Sequence, residues 1–168
     1  DIYSQYLINN GVPAYPANGV VVCDAVNNQS EPKVEELPNS NFLIGWSDNR
    51  TGAGYDIYAQ ILYGYSGTPY FTVNGSPICT SFGSQTMRDI VADQFGGFVM
   101  LWSDYTSGAV GFYAQQLNSL GFTQWATNGV PVKVGGSYVD QASMVADGTG
   151  GVLVAWADPR SDEGDIYV

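Results

Sequence analysis

Histidine is absent from the chain, which removes the commonest general base and a frequent metal ligand. Basic residues are scarce: five stand against sixteen acidic ones, for a net charge of −11. Nucleic-acid phosphate would be repelled by that balance, so no nucleic-acid partner is expected. Long apolar runs are missing too. The longest, such as "GGVLVAWA", fall far short of a spanning helix, and no basic patch would hold an anionic bilayer, so membrane insertion is not expected. Helix-favouring Lys, Glu and Arg are few, and no segment carries an apolar stripe of helical period. No initiator Met or leader opens the sequence, which begins and ends inside a recurring string. The expectation is a segment of a longer product, a processed mature form, or a chain trimmed to its ordered part.

What is abundant is Gly (21), Tyr (12) and Trp (4), with 45% apolar residues over 168 positions. That suits aromatic and β-branched strands joined by Gly, Asn, Asp and Pro turns. Acidity together with few basic groups fits a secreted protein, extracellular or at a cell surface.

The string "DIYAQ" at 56–60 returns as "DIYSQ" at 1–5, "GFYAQ" at 111–115 and "DIYV" at 165–168, every 54 or 55 residues. Three repeats follow, 1–55, 56–110 and 111–164, and a fourth starts over 165–168. Each carries the same features in order. An aromatic stands three residues ahead of an Asn-Gly: Tyr15, Phe71 and Trp125. A short apolar run follows ("VVVC", "SPIC", "VPVK"), then a Gln (Gln29, Gln85, Gln141), then a run ending in acid near Glu36, Asp93 and Asp147. A tight turn leads into a Trp with an Asp two residues later: Trp46 and Asp48, Trp102 and Asp104, Trp156 and Asp158.

Each repeat reads as four strands. The run "VxxxxGGxVxxWxD" is a hairpin of alternating side chains, "DIYAQxL" a third strand, and "NGVPV" an outer fourth whose Pro costs no ladder bond. Ile57 and Ala59 should share one face of the third strand and Tyr58 and Gln60 the other. Four antiparallel strands in about 55 residues make a blade of a β-propeller. The recurring core is expected to hold Trp46, Trp102 and Trp156 with Tyr3, Tyr58, Tyr113 and Tyr167.

The pattern "WxDxRxGxxDIYAQ…G…W…NG…DGxGG" resembles the tandem repeats of large secreted bacterial proteins regarded as propeller-like. The similarity covers the whole chain and is closest at "DGTGGVLVAWADPRSDEGDIY". The second repeat departs at Thr106, where the pattern has Arg, and the first at "ELPNSN". The resemblance implies an all-β, propeller-like array of blades, of a kind that often lacks an assigned activity. At fold level the chain also resembles sialidase-type propellers, without their "SxDxGxxxW" box.

Closed propellers generally need about 4–8 blades, so three repeats leave apolar sheet faces without cover. The expected partners are further blades of the same polypeptide or other copies of this chain, with a stacked solenoid as the remaining geometry. Cys23 and Cys79 sit at equivalent outer-strand places, Lys133 taking the third. In propeller packing they stand too far apart to bond; in a solenoid they would be neighbours.

Candidate sites follow from chemistry. Asp48, Asp56, Asp158 and Asp165, with Asp104, Asp162 and Glu163, offer oxygen ligands of the kind Ca²⁺ takes; the competing reading is turn capping and pairing with Arg50 or Arg160, with no cofactor. The recurring acids Glu36, Asp93 and Asp147 include the residue type that cleaves glycosides, yet a catalytic site needs one asymmetric constellation rather than a residue repeated in every blade. Arg88 adds a third guanidinium for gripping a carboxylate. Tyr15, Phe71 and Trp125, with Tyr63, Tyr65, Tyr70 and Tyr105, are candidates for stacking on glycans or packing in the core. Asn28, Asn49 and Asn74 head Asn-x-Ser/Thr strings, possible glycan acceptors. The function expected first is a non-catalytic extracellular repeat module with a structural, adhesive or filament-forming role. The alternatives are a lectin-like carbohydrate-binding propeller and a fragment of a secreted hydrolase.

Overall fold

Apolar runs bounded by Gly, Asn, Asp and Ser turns become strands throughout, in a computed structural model that describes residues 1–106, 110–135, 141–158 and 165–168, without the side chains of Asp165 and Tyr167. The chain is all-β and antiparallel, with no α-helix among the described residues. Strands β1 (Ile2–Ser4) and β2 (Val20–Cys23) form a two-stranded sheet. Next come two four-stranded sheets, β3 (Gln29–Glu36), β4 (Phe42–Asp48), β5 (Asp56–Leu62) and β6 (Ser76–Cys79), then β7 (Gln85–Ala92), β8 (Phe98–Asp104), β9 (Gly111–Leu117) and β10 (Val130–Lys133). The last sheet is β11 (Ala142–Ala146), β12 (Val152–Asp158) and β13 (Asp165–Tyr167). Within each sheet the strands lie in chain order, and each four-stranded sheet takes its hairpin from one repeat and its outer pair from the next. Pro77 and Pro131 stand in the edge strands β6 and β10, where a missing N–H is tolerated.

The sheets stack face to face in chain order, and the core lies between them. Leu43, Ile57 and Ile61 of one four-stranded sheet pack with Met87, Ile90 and Met100 of the next. Ile2 and Val22 pack on Ile44, Trp46 and Tyr58, and Val99, Leu101 and Phe112 on Met144 and Val154. Gly45 permits the closest approach, since a Cβ there would lie 2.5 Å from the Met100 methyl and 2.9 Å from Ile90 Cδ1.

This stacking covers both faces of the inner sheets. The hairpin strands do not alternate between buried and exposed: every residue of β8 is buried, and in β4 and β5 all but the first. Each of these strands has a neighbouring sheet on both sides. The innermost strands β3, β7 and β11 keep the alternation better and are tied to the next sheet by side chains. Ser47 Oγ accepts the Met87 N–H (2.8 Å), Glu35 Oε1 that of Ala92 (3.3 Å), and Asp89 Oδ2 that of Met144 (2.7 Å).

The closing Gln of the recurring string holds the loop that follows it. Gln60 Oε1 accepts the backbone N–H of Phe71 (2.8 Å) while its Nε2 donates to the Thr72 carbonyl (3.0 Å). Gln115 makes the same pair with Trp125 (2.9 Å) and Ala126 (2.8 Å), and Gln5 with Tyr15 (3.0 Å) and Pro16 (3.0 Å). The amide is long enough to span two adjacent peptide groups, so it fixes each aromatic ahead of its Asn-Gly. The Asn residues Asn18, Asn74 and Asn128 adopt positive φ. Gly75 and Gly129 are required twice over: φ is +77° and +86°, and a Cβ would meet the rings of Trp46 and Trp102 at 2.5 Å.

The same two bonds stand in different surroundings, which makes them separable by measurement. Gln60 is fully buried, so Gln60→Ala strands a donor and an acceptor without water and should cost roughly 2–3 kcal/mol. Gln5 is exposed, and water replaces its amide, so Gln5→Ala should cost under about 1 kcal/mol. Chemical denaturation of both variants reads the difference; equal losses would mean the clamp is not what fixes these loops.

Candidate functional site

Because the strands alternate in direction, the turns β3–β4 and β5–β6 emerge at one end of a sheet and the connections β4–β5 and β6–β7 at the other. The two ends differ in chemistry. One carries the Asp residues that follow each Trp. The other carries most of the aromatic side chains.

At the acidic end Asp48 is wholly buried and fully engaged. Trp46 Nε1–H donates to its Oδ2 (2.7 Å), Arg50 donates from Nη2 to Oδ2 (2.7 Å) and from Nε to Oδ1 (2.9 Å), and the Arg50 backbone N–H adds a bond of 2.8 Å. The guanidinium lies 3.7 Å over the Tyr58 ring, which stacks on Trp46, and Arg50 also donates to the Asn74 carbonyl (2.8 Å). Burial opposes ionisation of Asp48, but the bonds from Arg50 and Trp46 outweigh it and hold the carboxyl below its ordinary value. Asp56 is its cross-strand partner. Burial and the charge of Asp48 push Asp56 the other way, upward.

The equivalent sites differ. Asp104 accepts from the N–H and hydroxyl of Thr106, which stands where the first site has Arg50, and the Trp102 Nε1–H has no partner among the described residues. Asp158 accepts from Trp156 (3.4 Å) and pairs with Lys133 (3.6 Å), the residue that replaces the two cysteines. Cys23 and Cys79 are buried free thiols, and Cys23 lies beside Asp48 and Arg50. Of the four metal candidates, Asp48 and Asp158 are thus occupied by donors, Asp56 borders a separate surface hollow, and the Asp165 side chain lies outside the described residues, as do Arg160, Asp162 and Glu163. No group of three acidic or sulfur ligands converges on one point among the described residues.

The hairpin acids are turn caps. Asp93 accepts from the N–H groups of Phe95 (2.9 Å) and Gly97 (2.8 Å), and from Gln116 (3.0 Å). Asp147 accepts from those of Thr149 (2.7 Å) and Gly151 (3.0 Å), which lower its pKa. A glycosidic general acid needs the opposite shift. Strand register also moves the first of the three: Leu37, not Glu36, occupies the Asp93 and Asp147 position, closing its turn through Asn41.

The aromatic end is built across repeats. Gly67 packs on Tyr15 and Gly121 on Phe71, where a Cβ would lie 2.0 Å from the ring. Tyr15 is buried and donates its hydroxyl to the Gly64 carbonyl. Phe71 and Trp125 are half-buried. Around them rings remain open to solvent: Tyr65 edge-on to Tyr6 at 5.7 Å, Tyr63 to Tyr70 at 5.9 Å, and Tyr70 to Phe71 at 5.6 Å. Between the second and third repeats lies a groove of about 290 Å³ bordered by Tyr70, Phe71, Pro77, Ile78, Leu120 and Phe122. Tyr105 instead stands at the acidic end, accepting from Arg88 (3.1 Å).

Among the recurring core residues, Trp46 and Trp102 are fully buried and Tyr58 nearly so, Trp156 and Tyr113 are half-buried, Tyr3 is exposed, and the Tyr167 side chain lies outside the described residues. Asn28 is exposed and donates to the Tyr55 hydroxyl (2.7 Å). Asn49 and Asn74 are half-buried, and Asn74 Oδ1 accepts the Asp24 N–H (2.9 Å) of the preceding sheet. The Gln clamp was missed in the sequence, although Gln5, Gln60 and Gln115 lie ten or eleven positions ahead of the aromatics they hold. The Lys133–Asp158 pair was missed as well; its signal was a basic residue where the other repeats have Cys.

No family model matches the chain, and no curated protein matches it. Among solved structures it is similar to an endo-arabinase from Bacteroides thetaiotaomicron VPI-5482, at 18% identity and a TM-score of 0.48, over 83% of this chain and 54% of that one. The chain therefore spans about half the length of that structure. The expectation of a non-catalytic structural, adhesive or filament-forming module is corrected here: the structure found is named as an enzyme.

The acidic end yields a stability test with two signs. Asp48→Asn strips one partner from a buried ion pair and should cost roughly 3 kcal/mol. Asp56→Asn removes a like charge facing Asp48 and should stabilise by about 0.2–1 kcal/mol at neutral pH. The depressed Asp48 contributes stability that is complete above 3.8 and lost as pH falls through its lower folded value. The raised Asp56 does the reverse, favouring the fold as pH falls toward 3.8. Urea midpoints at neutral and mildly acidic pH should therefore converge between the parent and Asp56→Asn as the medium is acidified.

Proposed function

We infer that the chain is a secreted, β-propeller-like protein that acts on glycans, its aromatic loop end holding a neutral polysaccharide. The observation that carries this reading is the groove between the second and third repeats, with Tyr70 and Phe122 open at its rim and Phe71 in its wall. Flat rings with one face open stack on the apolar faces of sugar rings, and the nearby loop amides and hydroxyls supply hydrogen bonds. Its size is at the small end of ligand pockets, roughly 300–1,000 Å³, which suits one or two residues of a longer chain.

Charge narrows the substrate class. With a net charge of −11, and with Arg50 and Lys133 paired with Asp48 and Asp158, uronic or sialic acid residues would meet net repulsion. Neutral hexose or pentose polymers remain. Such polymers lie outside the cell, which accords with an extracellular or cell-surface location.

The reading covers two related roles: presenting a polysaccharide to a hydrolytic centre, and holding it as a lectin does. The hydrolase role is the one favoured, because the protein of known structure it is similar to is named an endo-arabinase. The turn-capping acids Asp93 and Asp147 take no part in either role.

Affinity electrophoresis of the chain against arabinan, xylan and mannan, with an anionic glycan as control, tests the proposal. Retardation by at least one neutral polymer is expected. Tyr70→Ala and Phe122→Ala, each at a solvent-facing ring, should weaken it by roughly three- to tenfold per ring, with thermal unfolding nearly unchanged. Retardation by the anionic glycan alone, or by none, overturns the reading.

A further inference from the structure

We propose that two copies of this chain close into a ring of six sheets, the inner hairpin β11–β12 of each copy seating beside β1 of the other. The proposal rests on sheet edges and flanks, and it stands whatever the aromatic loops bind. Four observations lead to it.

The first is an unpaired edge. Strand β1 pairs only with β2 among the described residues, whereas its equivalents β5, β9 and β13 each have a central strand on the other side. The register there is constant, with Trp46 opposite Tyr58, Trp102 opposite Tyr113 and Trp156 opposite Tyr167. By the same register Tyr3 awaits a Trp.

The second is a groove of matching shape. About 380 Å³ of open space lies along β1 and against the face of β3–β4, bordered by Tyr3, Tyr6, Tyr15, Val34, Phe42 and Ile44. In the two four-stranded sheets, the corresponding position is filled by the two inner strands.

The third is a pair of complementary bare flanks. Val34 is 61% exposed, although its equivalent Ile90 is 4% exposed beneath the preceding sheet. At the opposite end of the stack Val145 and Leu153 are 58% and 53% exposed, while Val99, the equivalent of Leu153, is fully covered by the following sheet. Setting β11–β12 of one copy into the groove of another brings Val145 and Leu153 onto Val34 and Ile44. That repeats the contact by which the sheets within one chain already pack.

The fourth is a duplicated strand. Residues 1–3 and 165–167 both read Asp-Ile-Tyr. Ile2 is 4% exposed and packed against the neighbouring sheet, whereas Ile166, in β13, is 72% exposed. When β1 of the partner takes the place of β13 beside β12, every backbone bond that is given up is re-formed in the same register, and β2 completes the sheet. The exchange is therefore nearly neutral in hydrogen bonding, and burial of the bare flanks drives it.

The count also closes. Each copy holds two complete four-stranded sheets and contributes half of two composite ones. Two copies thus make four complete and two composite sheets, inside the range of about 4–8 over which such rings close. The two composite contacts are related by a twofold axis, so growth stops at the dimer.

Native mass and a cross-link test this together. Light scattering of the 168-residue chain should give twice 18.0 kDa. By the register, Ser4 of one copy faces Ala155 of the other, so the double variant Ser4→Cys/Ala155→Cys should give a covalent dimer on non-reducing gels while each single variant stays monomeric. Val145→Asp, at a position already exposed in the single chain, should leave the circular dichroism spectrum intact and raise the dimer dissociation constant roughly tenfold or more. A folded monomer at micromolar concentration, open polymers beyond the dimer, or a dimer that the double variant fails to cross-link would each overturn the proposal.

Discussion

A four-stranded sheet with apolar side chains on both faces has nowhere to put the second face. Every other feature of this chain follows from that constraint. The central strands β4, β5 and β8 are buried on both sides, so each sheet must lie between two others, and the sequence must repeat because each interface must be the same. Gly45 admits Met100 and Ile90, and backbone N–H groups of the innermost strands reach side chains of the neighbouring sheet. The stack is held by burial, and these bonds set the spacing and angle at which burial happens.

Repetition made the strand order legible in the sequence, since four patterns recurred in one order and the edge position of Pro77 and Pro131 explained the fourth. Burial was less legible. Alternation along "NFLIGWSD" reports side-chain direction and not what covers each face. The candidate sites were legible only as chemistry. That Asp48 would cap its own turn was one of the readings open at the outset; the Trp46 indole and the Arg50 fork reach it from two residues on either side, but the Tyr58 ring beneath the guanidinium is brought there by cross-strand register, which spacing alone does not reveal. Glu36 was misaligned by one position because an acid ends that run, while the turn places Leu37 where the other repeats have Asp.

The division between the two ends is itself a product of strand alternation. Loops leaving the hairpin tips and the outer pair share one end, and there the Gln clamp permits large rings ahead of each Asn-Gly. The fixed backbone lets Tyr15 be sealed while Tyr65, Tyr70 and Phe122 stay open on the same loops. At the other end, charge is spent internally: Asp48 on Arg50, Asp158 on Lys133. A surface with open rings and few available cations selects for uncharged, ring-shaped partners. In the proposed glycan-binding role, the way the scaffold disposes of its charges matters as much as the aromatics themselves.

The variation among the three acidic nodes shows how strongly position outweighs identity. The Trp and Asp are constant, yet Asp48 is met by Arg50 from its own turn, Asp104 by Thr106, and Asp158 by Lys133 from the strand β10 of the preceding sheet. A buried carboxylate needs donors from somewhere, and the geometry accepts them from the turn or from the neighbour. Where the donor comes from the neighbour, the charge pair also ties one sheet to the next, in place of the weaker thiol contact that Cys23 makes with Asp48.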